Sequence, residues 1–217
     1  MRFFSMDGPV FRFLSLMYDL MILNIIYVIT CIPVITIGAA TSALYRTMLD
    51  KRYGLDAGVK TYLRQFLANF RQSTPRFLLF LLICAVLAFD ARYAISGGLP
   101  APSLLFSIFL VMLTVAAGLS SWVLALTGQF DNTLTGTLRN AALLTFRHLP
   151  LTLLLLLRFL PLLLAYFSAP LFLVFSFLFF LFYYSLAAYL AAGPMSRIFL
   201  PLMSPEEREK RTRDDDE

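Results

Sequence analysis

The sequence predicts an all-α integral membrane protein, a helical bundle with about five transmembrane helices. Hydrophobic residues make up 59% of the 217 residues and charged residues only 14%, whereas a soluble domain carries about 25% charged residues. Runs without any charge cover residues 20–45, 93–130 and 159–196. Since about 20 apolar residues are enough to cross the hydrocarbon core of a bilayer, each of these runs is long enough to hold a span.

The first predicted span covers Leu20–Leu44 and contains Pro33. A proline inside a helix removes one backbone hydrogen bond and leaves the carbonyl four residues earlier, that of Ile29, without its donor. Two interpretations follow. Pro33 is either a packing kink, with Gly38 allowing a neighbouring helix to approach closely, or the break of a discontinuous helix at a substrate site.

The segment after this span predicts an amphipathic helix on the cytoplasmic side. Between Val59 and Phe70 the apolar residues recur at helical spacing, with cations off that face. We interpret it as an interfacial helix that lies on the inner leaflet or docks a partner protein. The candidate residues of this surface are Val59, Lys60, Tyr62, Leu63, Arg64, Phe66, Phe70 and Arg71.

The remaining predicted spans are Thr74–Ile95, Ser103–Leu126, Leu149–Phe167 and Ala169–Ala191. In Thr74–Ile95 the uncharged stretch is too short to cross the bilayer alone. We therefore extend this span to the charged residues on either side, whose side chains can reach the interfaces. Together these helices predict one membrane domain over residues 1–200. Residues 201–217 form a charged cytoplasmic tail, in which Ser204 and Pro205 carry a helix-start signal.

The distribution of Lys and Arg predicts the orientation in the membrane. Seven of them lie in residues 45–76, two in residues 127–150 and five after residue 193, against Arg2, Arg12 and Arg92 on the other side of the predicted spans. Cytoplasmic loops carry the excess of cations. With five spans, the sequence predicts a multi-pass plasma-membrane protein with its N-terminus outside and its C-terminus in the cytoplasm.

Arg158 interrupts the fourth predicted span at about the middle of the bilayer. A central arginine costs about 2.5–3.5 kcal/mol on insertion scales, so a compensating partner is expected. We hypothesise that Arg158 faces the bundle and donates to the freed carbonyl of Ile29, to Thr30, or to a serine of the third span. The alternatives are snorkelling and a site for an anionic or polyol substrate. This candidate polar layer comprises Ile29, Thr30, Pro33, Ser120, Ser121 and Arg158.

The sequence does not indicate catalysis, a cofactor or a metal site. His148 is the one histidine, and Cys31 and Cys84 both lie in apolar runs, where reduced core thiols are expected. No nucleophile, phosphate-binding or metal-ligand motif is present. The net charge of +5 follows the membrane topology and no nucleic-acid-binding motif accompanies it, so the expected partner is the lipid bilayer rather than nucleic acid.

Several segments of the chain resemble the YesL-type family of small bacterial membrane proteins, which carry a domain of unknown function. They are residues 4–14, 19–20 with 23–24, 31–45 and 66–74, and the likeness is visible again at 129–131, 138–141 and 148–153. The likeness is dense over residues 4–75, and the second half becomes rich in Leu and Phe. Members of the family are often encoded beside carbohydrate ABC transporters, which implies a role in saccharide uptake.

The resemblance therefore implies an accessory or regulatory component of an ABC-type sugar transporter, with the permease subunits as partners. The alternative is a small carrier in its own right, with a site in the middle of the bilayer near Pro33 and Arg158. The two hypotheses differ in whether function requires a transporter partner. The oligomeric state is left open by the sequence.

Overall fold

The prediction of an all-α membrane bundle is confirmed. The computed structural model describes residues 9–96, 102–130, 132–203 and 205, and this part of the chain contains helices and no strand. Five stretches in it are long and apolar enough to span a membrane: Phe13–Thr30, Val59–Ser96, Ser103–Gln129, Leu149–Phe167 and Ala169–Leu202. The helices are α1 Pro9–Thr30, α2 Ile37–Arg52, α3 Val59–Ser96, α4 Pro102–Gln129, α5 Leu134–Arg147, α6 Leu149–Leu156, α7 Leu160–Phe167, α8 Ala169–Leu178 and α9 Tyr184–Phe199.

The single span predicted over Leu20–Leu44 is wrong, because the chain reverses inside it. α1 ends at Thr30, and a turn leads through a 3₁₀ segment, Val34–Thr36, into α2. The two helices pack antiparallel, since Tyr27 contacts Thr41 near the turn and Lys51 pairs with Asp19 further away from it. The prediction of an outer N-terminus was based on one straight span, so this hairpin removes its basis.

α2 forms the polar centre of the bundle. Its residues are mostly small or hydroxylic, and Gly38, Ala39, Ala40, Thr41, Ser42, Ala43 and Leu44 are all buried. Small side chains let backbones approach closely, which is the usual packing mode between helices in membranes. A Cβ at Gly38 would lie 2.5 Å from the Cβ of Phe77, and one at Gly128 would lie 2.5 Å from the carbonyl oxygen of Ser42. These contacts fix α3 and α4 against α2.

The predicted amphipathic helix is helical but is not a separate element. It forms the first part of α3, which continues through Pro75 to Ser96 over 38 residues. At 1.5 Å per residue such a helix is about 57 Å long, well beyond the roughly 30 Å of hydrocarbon. The interfacial or docking role of its first part stays a prediction.

Basic side chains gather where α4 ends. Arg76 donates to Thr127 at 2.6 Å and to the carbonyl of Asn132 at 2.8 Å. Arg46 approaches the carbonyls of Gly128 and Gln129 at 3.5 and 3.2 Å. Carbonyls at a helix C-terminus lack partners within the helix and carry partial negative charge, which arginines stabilise.

The membrane unit extends slightly beyond the predicted boundary at residue 200. A 3₁₀ turn covers Leu200–Leu202, and Met203 is buried, with its sulfur 3.9 Å from the amide nitrogen of Gln129. The helix-start signal at Ser204 and the charged end of the tail lie outside the described residues, except for Pro205.

Candidate functional site

Arg158 lies in a local irregularity of the fourth span. A 3₁₀ turn, Leu157–Phe159, separates α6 from α7, and Pro161 follows at the start of α7. Pro161 has no backbone N–H to give the carbonyl of Leu157. The carbonyl of Leu157 accepts instead from the N–H of Leu160 in the 3₁₀ turn and from the hydroxyl of Tyr183 at 2.6 Å.

Arg158 carries a charge that no carboxylate of the described residues neutralises. The two ion pairs found in this part of the chain are Arg46–Asp50 and Lys51–Asp19. The Arg158 guanidinium donates to the hydroxyl of Ser120 at 3.2 Å and lies 4.5 Å from the ring centroid of Phe159. The hydroxyl of Tyr45 also interacts with this guanidinium, so the partners of the Arg158 cation are neutral hydroxyls and one aromatic ring.

A cavity of about 300 Å³ lies beside the Arg158 side chain. Pockets that hold small molecules have volumes of about 300 Å³ upward, mainly apolar walls and a few placed polar groups. A small second cavity of about 10 Å³ adjoins Arg158, between Tyr45 and Leu155. The larger cavity is lined by Tyr27, Val28, Cys31, Ile37, Thr41, Phe77, Leu81, Arg158, Phe159, Leu162 and Tyr184.

Hydroxyl groups supply the remaining polarity around Arg158. The hydroxyls of Tyr27 and Thr41 are 3.2 Å apart, and the rings of Tyr27 and Tyr184 pack at 5.2 Å. Tyr45 on α2 lines the smaller cavity together with Arg158, which brings a further hydroxyl beside the cation. The site therefore combines one cation with neutral hydroxyl groups, which suits an anionic or polyol ligand rather than a cation.

Asn24 holds the fifth span next to this site. α8 and α9 are joined by a π-helical turn, Phe179–Tyr183. The buried amide of Asn24 donates to the carbonyls of Phe179 and Phe180 at 3.0 and 2.6 Å, and it accepts from the N–H of Ser185 at 2.9 Å. Single π turns inside α-helices frequently mark functional sites. Here the turn positions Tyr183 and Tyr184, which contact the carbonyl of Leu157 and the ring of Tyr27.

Of the predicted polar layer, the structure brings together Ser120 and Arg158. The carbonyl of Ile29 accepts from the N–H of Ile32 at 3.2 Å, so it is not free for Arg158. Thr30 bonds the hydroxyl of Tyr62 at 2.7 Å, and Ser121 bonds the carbonyl of Ala117 at 2.9 Å. Pro33 is exposed in the turn between α1 and α2 and does not line the cavity.

The predicted cytoplasmic surface is divided by the fold. Tyr62 is fully buried, and Phe66 and Phe70 are half-buried. Leu63 is 41% exposed and Leu67, on the same side of the helix, is 73% exposed. The cations of this segment, Lys60, Arg64 and Arg71, are exposed, and Val59 is half-buried.

Together these features define a multi-pass α-helical membrane protein with a mainly apolar cavity beside one cation within a span, Arg158. The described residues hold no cluster of three potential metal ligands. Residues 20–91, which cover the second half of α1, all of α2 and most of α3, match the family model described as "Protein of unknown function, DUF624". Over this region the chain is similar to that family. The comparison with curated proteins found no match, and neither did the comparison with solved structures.

Sequence reasoning missed several residues of the site, namely Asn24, Tyr27, Tyr45 and Tyr183. Asn24 offered a signal, because it is the one amide within the apolar run of α1, and a buried amide requires hydrogen-bond partners. The tyrosines gave no such signal, since tyrosine is also common at membrane interfaces.

Proposed function

We propose that the protein is a non-enzymatic membrane component of a carbohydrate-uptake system, acting as an accessory or regulatory partner of an ABC-type sugar transporter. The likeness of its first half to the YesL-type family supports the link to uptake. The structural observation that carries the accessory role is the first part of α3. There an apolar stripe is exposed beside cations at the end of a helix too long for the bilayer.

This docking surface comprises Lys60, Leu63, Arg64, Leu67 and Arg71. In the described residues the first part of α3 is fixed from one side, through the buried Tyr62 and its contact with Thr30. The opposite side exposes Leu63 and Leu67. An exposed apolar stripe flanked by cations fits an amphipathic groove with acidic margins on a transporter subunit. The inner leaflet is the other occupant that the same chemistry allows.

Replacing Leu67 by glutamate is expected to reduce co-purification of a sugar-transporter permease from native membranes by tenfold or more. The side chain is 73% exposed, so the change leaves the fold intact but places a charge in the docking surface. The recovered permease is quantified by mass spectrometry after purification in mild detergent. Phe146→Glu is the matched control, since Phe146 is a similarly exposed apolar residue on α5.

If Leu67→Glu recovers as much permease as the wild type, the docking surface does not lie on the first part of α3. If the wild type itself brings down no transporter subunit, the accessory role fails and the carrier hypothesis takes its place.

We also propose that α1 begins on the cytoplasmic side. α1 and α2 run antiparallel, and the end of α2 carries Lys51 and Arg52 next to the basic start of α3. Among the described residues this arrangement leaves Arg92 as the cation at the opposite end, and Arg158 in between, which follows the positive-inside rule more closely than an outer N-terminus does.

A variant with one cysteine tests this orientation. In it Cys31 and Cys84 are replaced by serine, and Leu14 is replaced by cysteine. Leu14 is exposed near the start of α1. It is expected to react with a membrane-impermeant maleimide in inside-out vesicles and not in intact cells. A cysteine at Tyr93 is the opposite-side control. Labelling of Leu14→Cys in intact cells would contradict this proposal and support the outer N-terminus that the sequence predicts.

The second candidate function is a small carrier whose site is the Arg158 cavity. The specific observation in its favour is a guanidinium without a carboxylate partner beside about 300 Å³ of space. Intramembrane ionisable residues commonly mark substrate pathways. The ligand class would be a small polyol or an anionic sugar derivative, held by the Arg158 cation and the hydroxyls of Tyr27 and Thr41.

A further inference from the structure

A third cavity lies at the membrane boundary, apart from the two cavities beside Arg158. It is a groove of about 660 Å³. Three candidate spans have their ends here: one ends at Gln129, one begins at Leu149 and one ends at Leu202. The groove therefore lies where the hydrocarbon meets the headgroup region. It is lined by Leu126, Phe130, Asn132, Asn140, Leu143, Leu144, Arg147, His148, Arg197, Ile198, Pro201 and Leu202.

The polar half of this boundary groove is basic. Arg147, at the end of α5, and Arg197, on α9, are both exposed, and neither has a hydrogen bond or ion pair with the described residues. Asn140 and the half-buried His148 add further hydrogen-bonding groups beside them. None of the lining residues is acidic. Two unpaired guanidiniums facing one groove form a site suited to a phosphate, which arginine binds with two parallel hydrogen bonds.

The other half of the groove is apolar. Leu126, Phe130, Leu144, Ile198 and Leu202 supply a hydrocarbon wall that continues from the ends of the spans. A water-soluble phosphate compound would leave this wall uncovered. A molecule that carries both a phosphate and an acyl chain matches the basic half and the apolar half. Basic pockets between transmembrane helices commonly bind anionic lipid headgroups.

We propose that the boundary groove binds one anionic phospholipid, with its phosphate between Arg147 and Arg197 and an acyl chain along the apolar wall. The lipid would link α5 and α9, since both helices contribute residues to the groove. This inference does not depend on either proposed function, since it needs only that the protein is embedded in a bilayer.

The test is native mass spectrometry of the full-length protein, delipidated in detergent and titrated separately with phosphatidylglycerol and phosphatidylcholine. We expect the wild type to bind one phosphatidylglycerol in preference to phosphatidylcholine. The double substitution Arg147→Gln with Arg197→Gln is expected to weaken phosphatidylglycerol binding by about thirtyfold, with little effect on phosphatidylcholine. Both arginines are exposed, so folding is retained. The matched control is Arg92→Gln with Arg139→Gln, two exposed arginines outside the groove.

Three outcomes would overturn the proposal. The first is equal binding of the two lipids by the wild type, and the second is an equal loss of affinity in the control. The third concerns the tail, which begins beside Leu202 and ends in Asp214, Asp215, Asp216 and Glu217. If phosphatidylglycerol binds a chain shortened to Met203 but not the full chain, the acidic tail and not a lipid is the occupant of the groove.

Discussion

Replacing Asn24 by leucine is expected to lower the free energy of unfolding by about 2–5 kcal/mol. Leucine has a similar volume but leaves the carbonyls of Phe179 and Phe180 and the N–H of Ser185 without the partner they now have. Side-chain hydrogen bonds inside membrane bundles contribute about 0.6 kcal/mol on average and up to about 1.7 kcal/mol. Three such bonds, all at one buried residue, give the expected range.

The single tryptophan provides the measurement for Asn24→Leu. Trp122 is fully buried, and its ring packs against Phe199 at 6.3 Å, so its fluorescence reports unfolding of the bundle in detergent. Asn69→Ala is the control, because the Asn69 amide donates to Gln65 within its own helix. An Asn24→Leu protein as stable as the control variant would show that the π-helical turn holds its shape without this clamp.

Replacing Arg158 by leucine is expected to abolish solute uptake, with a loss of tenfold or more, while leaving the bundle at least as stable as the wild type. The cation binds the ligand in the carrier hypothesis, so its removal eliminates uptake. Stability is retained because burying the cation costs about 2.5–3.5 kcal/mol. Ser120 also keeps its hydrogen bond to the carbonyl of Ala117 when Arg158 is absent.

The measurement combines uptake into proteoliposomes with thermal unfolding. Gluconate serves as an anionic sugar derivative and glucose as a neutral polyol. Arg158→Lys is expected to retain part of the gluconate uptake, because lysine keeps the charge but not the planar fork of donors. Ser121→Ala is the control inside the same layer, since Ser121 bonds its own helix. Unchanged uptake in Arg158→Leu would reject the carrier site, and a large loss of stability would give Arg158 a structural role.

The hairpin of α1 and α2 shows why hydropathy alone placed the first span wrongly. Residues 20–44 are uncharged throughout, so their composition fits one straight helix. The chain turns at residues 31–36 because α2, rich in Ala, Ser and Thr, packs better in the protein interior than against lipid. Which uncharged residues face lipid and which face protein depends on the neighbouring helices.

Proline gave misleading information about helix boundaries for a similar reason. Pro33 was expected inside a helix but lies in a turn, whereas α3 continues through Pro75 and α9 through Pro194. A proline interrupts one backbone hydrogen bond, and neighbouring groups in a packed bundle can compensate for it. At Leu157 the carbonyl accepts from the N–H of Leu160 and from the hydroxyl of Tyr183, which lies 26 residues away in the chain.

The sequence by itself determined that this protein lies in a lipid bilayer, that it is helical, and at which end of its spans most of its Lys and Arg residues lie. Long uncharged runs must form helices inside a bilayer, since helices satisfy their own backbone hydrogen bonds, and charges must remain at the boundaries. Only the tertiary structure decided the reversal after Thr30, the choice of Ser120 among the predicted partners of Arg158, and the contact of Asn24 with Phe179. The last two join residues 38 and 155 positions apart. Such contacts depend on how the helices pack, and local composition does not encode that packing.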